Sequence, residues 1–454
     1  MNELNPFTLG QEITDPNELY GRSKSNQELD EVIYDLTAGN SSLELIGQRR
    51  YGKTSLLRCT QTRILNDDKY KDLIPVYIDT NNYPDISGLE DGYNLICAFM
   101  INTVFKIPSI DKNAIKMKGY DFTVKRDIRK QYNYIKSINS SGTQNFRELI
   151  NKFADFSYSF ILLIDEYEYL FHTTFSSDKP VYIMRSIAQR ELPNKQRLRV
   201  CFAGSRSWEH LNELNIPGSP DFTFLANTIY LKPLHREDCH ELITSKLEKY
   251  STKYEKNKID ELADQAYSLS GGCPNVINYV GYDFIKNGGK ISINEIYRRL
   301  ITMFSTRWSN LSDSEKKIII LESVEYDDIL SAMRLIKKTS NNNYELVGQL
   351  WQKFVINKRA ELNHQEAASF LSSIVNRIKT IAKSNSQEAS HQYIMKSQLE
   401  IKTIKEQIDE SIESINLECT YRELPHVFNF EDSHDHTYQL NALSKLCSSE
   451  EIFT

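Results

Sequence analysis

Short apolar runs alternate with amphipathic or polar stretches over the first half of the chain. Leu43–Ile46, Pro75–Ile78, Phe160–Ile164, Leu198–Phe202 and Thr228–Leu231 are each four or five residues long and mostly apolar. Continuous rather than alternating hydrophobicity predicts strands buried on both faces, hence a parallel sheet covered by helices. From about Pro233 the strands stop. Helical spacing predicts helices over Glu237–Tyr250, Ile259–Leu269 and Pro274–Asn287, with Gly271-Gly272 as a stop signal and Pro274 in a first turn. Residues 308–356 read as two or three helices, a short extended piece at Tyr344–Val347, and a helix around Trp351. Further on, Ile401, Ile404, Ile408, Ile412 and Ile415 recur three and four apart, one apolar stripe on a charged helix.

Composition narrows the class. A chain of 454 residues exceeds one hydrophobic core and predicts about three domains. Its net charge of −6 gives no global positive field toward nucleic acid or a membrane surface. With 40% hydrophobic and 11% aromatic residues it can build cores, which excludes a disordered tail. No apolar run approaches the roughly 20 residues of a membrane span. The opening MNELNPFTLG lacks a basic and then apolar leader. Seven cysteines, odd in number and without repeated spacing, predict no disulfide framework. The expectation is a soluble, cytoplasmic, multidomain protein.

Chemistry enters at Gly47-Gln48-Arg49-Arg50-Tyr51-Gly52-Lys53-Thr54, a full G-x-x-x-x-G-K-[ST] string. An apolar strand runs in and a helix starting at Ser55-Leu56-Leu57 runs out. Glycines let backbone N–H groups face a concave loop, and the helix N-terminus adds partial positive charge. Lys53 can then reach β- and γ-phosphate oxygens, and the Thr54 hydroxyl can ligate Mg²⁺. The run Ile161–Ile164 delivers Asp165 at a strand end as a second metal partner, and Glu166 as the base that polarises a water. At the next strand end, after Gly204, Ser205 is placed to sense the γ-phosphate and Arg206 to reach it; a plain turn with a surface arginine explains the same letters. Asn257-Lys258-Ile259-Asp260 spells a guanine-reading string but follows a charged stretch instead of an apolar strand. It reads as a helix start, so adenine is expected.

Asn5-Pro6-Phe7, Gly10, Asp15-Pro16, Tyr20-Gly21-Arg22, Gly47–Leu57, Ile161–Glu166, Gly204-Ser205, Leu231–Leu234 and Gly271–Pro274 follow the order seen in prokaryotic STAND ATPases. These are signal-transduction relatives of AAA+ and origin-recognition ATPases. The chain resembles them over residues 1 to about 290, and more weakly to about 356. With borders read from the chain near 235, 300 and 360, the resemblance implies a P-loop NTPase α/β domain (1–235), a helical lid (236–300) and a winged-helix-like domain (301–360); the polar, helical pattern of the rest makes 361–454 an α-helical C-terminal region outside the resemblance. It places Tyr20, Gly21 and Arg22 beside adenine and Pro274 against the base from the lid. ATP and Mg²⁺ are the implied cofactors. The family's winged helix often brings a histidine to the β-phosphate, whereas residues 300–360 contain none. Arg185 and Arg190 are the candidates for an arginine finger.

Between Lys112 and Lys136 lie eight Lys/Arg against two Asp, a local +6, interleaved with Tyr120, Phe122, Tyr132 and Tyr134. Such a mixture can track and stack single-stranded nucleic acid, or form a solvated insert whose aromatics pack on the sheet. Cys419, His426, His434, His436 and Cys447 have irregular gaps that argue against structural zinc. The leading expectation is an ATP-driven, slowly hydrolysing switch. It signals through homo-oligomerisation or a separate effector, in antiviral defence or stress. The alternatives are a DNA-binding initiator or mobile-element ATPase, and a nucleotide-dependent scaffold. Nucleic acid is not favoured as a partner, and a membrane is not expected.

Overall fold

The computed structural model describes residues 5–22, 27–38, 42–80, 88–115, 124, 126–138, 141–168, 198–205, 225–250, 254–311, 315, 316, 318, 319, 335–338 and 344–361. The chain forms two compact units, 1–356 and 357–454. In the second, residues 357–361 are described and are helical. Arg185, Arg190, Arg206, the Ile401–Ile415 stripe and the Cys419–Cys447 cluster lie outside the described residues.

The first unit is built on strands β1 (Ser42–Ile46), β2 (Leu73–Asp79), β3 (Ser159–Asp165), β4 (Leu198–Gly204) and β5 (Leu225–Tyr230). They form one sheet in the order β2-β3-β4-β1-β5, and every pair is parallel. Each apolar run named from the sequence lies within or overlaps one of these strands. Alternate residues of a strand face opposite sides, and the packing follows. Leu43, Leu45, Ile161, Leu163, Cys201 and Ala203 enter one core; Ile74, Val76, Phe160, Leu162, Val200 and Phe202 enter the other. Both faces are covered, which is why the runs are continuous.

Helices α1 (Glu28–Thr37) and α2 (Lys53–Asn66) share the first core. The second core is closed by α3 (Leu89–Lys106), α4 (Ile128–Ser137) and α5 (Gly142–Ala154). Asp127 and Ser141 cap α4 and α5 by accepting from Lys130 N and Gln144 N. Helices α6 (Arg236–Tyr250), α7 (Lys256–Ser270), α8 (Pro274–Lys286) and α9 (Ile293–Ser309) follow β5. Leu247, Leu269, Ile277 and Phe304 carry the first core on into them. Asn257–Asp260 lies in the first turns of α7, with Asp260 bonded to His240 Nε2 at 2.7 Å, so it forms a helix start as expected.

Within the first unit, an N-terminal segment ties α2 to α8. Asn5 Nδ2 donates to Tyr282 O on α8 at 3.1 Å, and Ile13 N donates to Ser55 Oγ on α2 at 3.0 Å. Phe7 is buried against Gly281, where any Cβ would stand 2.4 Å from the ring. Only glycine admits that approach.

The extended piece after residue 308 is β7 (Tyr344–Leu346), paired antiparallel with β6 (Ile336–Lys338). The sequence reading placed helix where β6 runs, because three residues with two lysines carry no strand period. Helix α10 (349–361) follows and packs Trp351 and Phe354 onto Phe304 of α9, at ring-centroid distances of 5.9 and 5.8 Å.

Candidate functional site

The loop between β1 and α2 lies at the C-terminal edge of the parallel sheet. Gly52 has φ 94°, the left-handed region that glycine adopts without a Cβ penalty, and it is the N-cap of α2. Arg50 takes φ 70° with a side chain and no such relief. Arg49 and Arg50 are exposed, whereas Gly47, Gln48 and Tyr51 are buried. The Lys53 ammonium turns back over the loop, donating to Gly47 O at 2.7 Å and Gln48 O at 3.4 Å. Burial holds its pKa below the usual lysine range, opposed by the charges of Glu168, Asp165 and Glu166.

Two strand ends supply the acids. The Thr54 hydroxyl donates to Asp165 Oδ2 at 2.6 Å, joining α2 to β3 across 111 residues. The Tyr77 hydroxyl from β2 donates to the same oxygen at 2.9 Å, and Glu166 N donates to Oδ1 at 3.1 Å. Thr80 Oγ1 is within hydrogen-bond distance of both Asp165 O (3.0 Å) and Glu166 O (2.8 Å), bracing the backbone just after β3. Glu166 is held in the left-handed region at φ 52°. Its carboxyl is raised above the ordinary range, first by burial and then by the Asp165 charge. Ser205 does reach this edge of the sheet, where its N and its hydroxyl both meet Glu168 Oε1, the latter at 2.7 Å.

The remaining sequence candidates divide. The Ser55 hydroxyl accepts from Ile13 N, so it anchors the N-terminal segment. Arg22 is buried with its guanidinium engaged by Glu28 Oε1 at 3.0 Å, Tyr51 O at 3.1 Å and Lys232 O. It braces the phosphate loop against the irregular segment that follows β5. Burial pulls Arg22 below and Glu28 above their usual ranges, and their pairing opposes both shifts. Gly21 is buried and Tyr20 half-buried beside it. Pro274 opens α8, and the preceding Cys273 points its thiol at Arg50 O, 3.9 Å away. Helix α8 therefore meets the loop at its N-terminal turn.

Sequence reasoning missed Tyr77, Thr80, Glu168 and Arg307. Arg307 on α9 is 4% exposed. Its guanidinium lies 5.6 Å from the Tyr51 ring, 5.6 Å from Phe304 and 5.3 Å from Trp351, with Nη2 3.9 Å from the Cys273 thiol. Aromatic faces offset part of the cost of burying that cation. Nothing in the local sequence around Arg307 marks it.

In the basic stretch, α4 lays Ile135 and Tyr132 on the second core. Lys136 pairs with Asp91 at 2.9 Å and Lys130 with Asp127 at 3.3 Å. Arg126 stacks on Tyr134 at 4.1 Å, and Lys112 donates to Ile107 O at 2.7 Å. Lys125, Tyr120 and Phe122 lie outside the described residues.

A parallel sheet ordered 2-3-4-1-5, with a phosphate loop after β1 and an acidic residue ending β3, is a P-loop NTPase fold. No protein-family model and no curated protein sequence matches the chain. Among solved structures it is similar to the ADP form of the ORC2 protein of Aeropyrum pernix, at 10% identity and TM-score 0.45, over 79% of this chain and 99% of that one. Cdc6p of Pyrobaculum aerophilum is similar at 12% identity and TM-score 0.38, over 78% and 98%. The RuvB Holliday junction branch migration motor of Thermotoga maritima is similar at 11% identity and TM-score 0.36, over 75% and 96%.

Proposed function

We propose that the chain is an ATP-binding, slowly hydrolysing molecular switch of the STAND type. In this reading nucleotide lies between the phosphate loop and the helices that begin at α6. The observation that carries the proposal is the convergence of Lys53, Thr54 and Asp165, with the Thr54 hydroxyl 2.6 Å from the Asp165 carboxylate. Chance motif matches do not bring a carboxylate 111 residues away onto the loop threonine.

Lys53 exchanges its bonds to loop carbonyls for bonds to β- and γ-phosphate oxygens, while loop N–H groups and the start of α2 face the same anion. Thr54 and Asp165 are hard oxygen donors, the set that suits Mg²⁺, and these two residues would hold it. When bound, the metal neutralises phosphate charge. Glu166, the nearer acid to that pair in sequence, orients a water as base; Ser205 moves from Glu168 toward the γ-phosphate. Tyr20, Gly21 and Pro274 flank the adenine. Binding drives a conformational change only through unequal affinity for two states, so the contact between Cys273 and Arg50 matters as much as Lys53.

The pairing of Lys130 and Lys136 with neighbouring acids supports the switch over the DNA-binding reading. Signalling then passes to a second copy or a separate effector, with antiviral defence or stress response as the setting. Calorimetric titration with ATP and GTP tests the proposal. ATP is expected to bind tighter; equal or tighter GTP binding overturns the adenine assignment, and no binding of either overturns the switch.

A further inference from the structure

Asp165 Oδ2 accepts two hydroxyls, from Thr54 at 2.6 Å and from Tyr77 at 2.9 Å. Only the first belongs to the phosphate-loop motif. Tyr77 comes from β2, the edge strand beside β3, in a register that pairs it with Leu163. Strand alternation therefore turns its side chain to the same face as Leu163 and Asp165, toward α2. Tyr77 is 6% exposed, so its ring has few ways to move.

Helix α2 closes over it from the other side. Thr54 and Arg58 are one turn apart and share a helix face. Thr54 meets the carboxylate while the Arg58 guanidinium lies 3.6 Å from the centroid of the Tyr77 ring. Arg58 is itself steadied by Glu12 at 3.3 Å. A stacked ring directed at one oxygen by a helix turn is a more specific arrangement than a buried hydroxyl finding any acceptor. With Glu166 N on Oδ1 at 3.1 Å, three donors fix the plane of the carboxylate.

We propose that Tyr77 is a positioning residue that holds the Asp165 carboxylate in the orientation needed to receive a divalent cation beside Thr54. The inference rests on the nucleotide-binding reading above and deepens it. Without Tyr77 the carboxylate keeps one donor on each oxygen, and the one on Oδ2 comes from Thr54, the residue that also faces the cation. Partners that orient a metal-holding side chain typically contribute about 10- to 100-fold in metal affinity.

The test uses the full chain and a fluorescent ATP analogue, titrated with Mg²⁺ and also measured in excess chelator. Tyr77→Phe keeps the ring under Arg58 and removes one oxygen. It is expected to raise the Mg²⁺ midpoint about 10-fold or more and to leave nucleotide affinity in chelator unchanged. An unmoved midpoint in a variant that melts like the wild type overturns the proposal. So does an equal loss with and without metal, which marks Tyr77 as packing only. Arg58→Met leaves the hydroxyl in place but unclamped and is expected to shift the midpoint less; a larger shift assigns the effect to stacking and overturns the proposal too. In an Asp165→Asn background Tyr77→Phe is expected to add nothing, and an additive shift contradicts the pairing. Failure of the wild type to bind the analogue refutes the phosphate-loop reading instead, so the two failures are distinguishable.

Discussion

The phosphate-loop edge of the sheet and the stretch 112–136 both concentrate charge, and they hold it in opposite ways. Lys53 is buried and bonded to backbone carbonyls of its own loop, partners that an anion can replace. Lys130 and Lys136 lie closer to water and already have carboxylates, Asp127 and Asp91. A desolvated cation at a helix N-terminus is available for strong interaction, whereas an exposed ion pair is worth little and is screened by salt. Counting charges along a sequence cannot make this distinction. The groups that face each charge decide it.

The largest expected effect lies at the loop. Lys53→Ala should weaken ATP binding by about a hundredfold or more in a protein that stays folded. Calorimetry and a thermal melt check this together; unchanged affinity in the folded variant dissolves the contrast between the two regions. Next is Glu166→Gln, which preserves shape and removes the base. It should slow turnover by roughly a hundredfold while ATP still binds, and so should enrich any ATP-dependent oligomer seen by size-exclusion chromatography. Full turnover would leave Glu166 as a strained cap after β3.

The smallest effect is predicted for the basic stretch. Neutralising Lys125, Arg126, Arg129 and Lys130 together should leave ATP affinity unchanged. The wild type should show little oligonucleotide binding at physiological salt by fluorescence anisotropy, with or without ATP. Submicromolar binding that is lost in the quadruple variant, with a salt slope near −0.7 per phosphate contact, would reverse the comparison and favour the initiator-type reading.

How legible each part was follows from how far apart its residues lie. The loop is spelled by adjacent letters, and Asp165 ends an apolar run, so backbone chemistry and strand pattern expose both. The five strands were readable because burial on both faces leaves unbroken hydrophobic runs. Tyr77 hides inside such a run, and its role depends on an oxygen 88 residues away. Arg307 became visible only once α9, the loop and α10 were packed together around Tyr51 and Trp351. Strand β6 was missed because pairing with β7, not composition, makes it a strand.

The N-terminal segment has a consequence in time. Asn5 bonds to Tyr282, 277 residues later. At a synthesis rate of about 5–20 residues per second, Asn5 waits roughly a quarter of a minute to a minute for its partner to be made. Strand β1 waits as well, since both its neighbours in the sheet, β4 and β5, emerge after residue 197. Strand β1, made before the other four, thus lies inside the sheet between β4 and β5, and the segment around Asn5 cannot close over α8 until Tyr282 exists. A nascent chain stalled before α8 would carry a complete phosphate loop with Phe7 unburied, a species for chaperones to shield and for proteases to find.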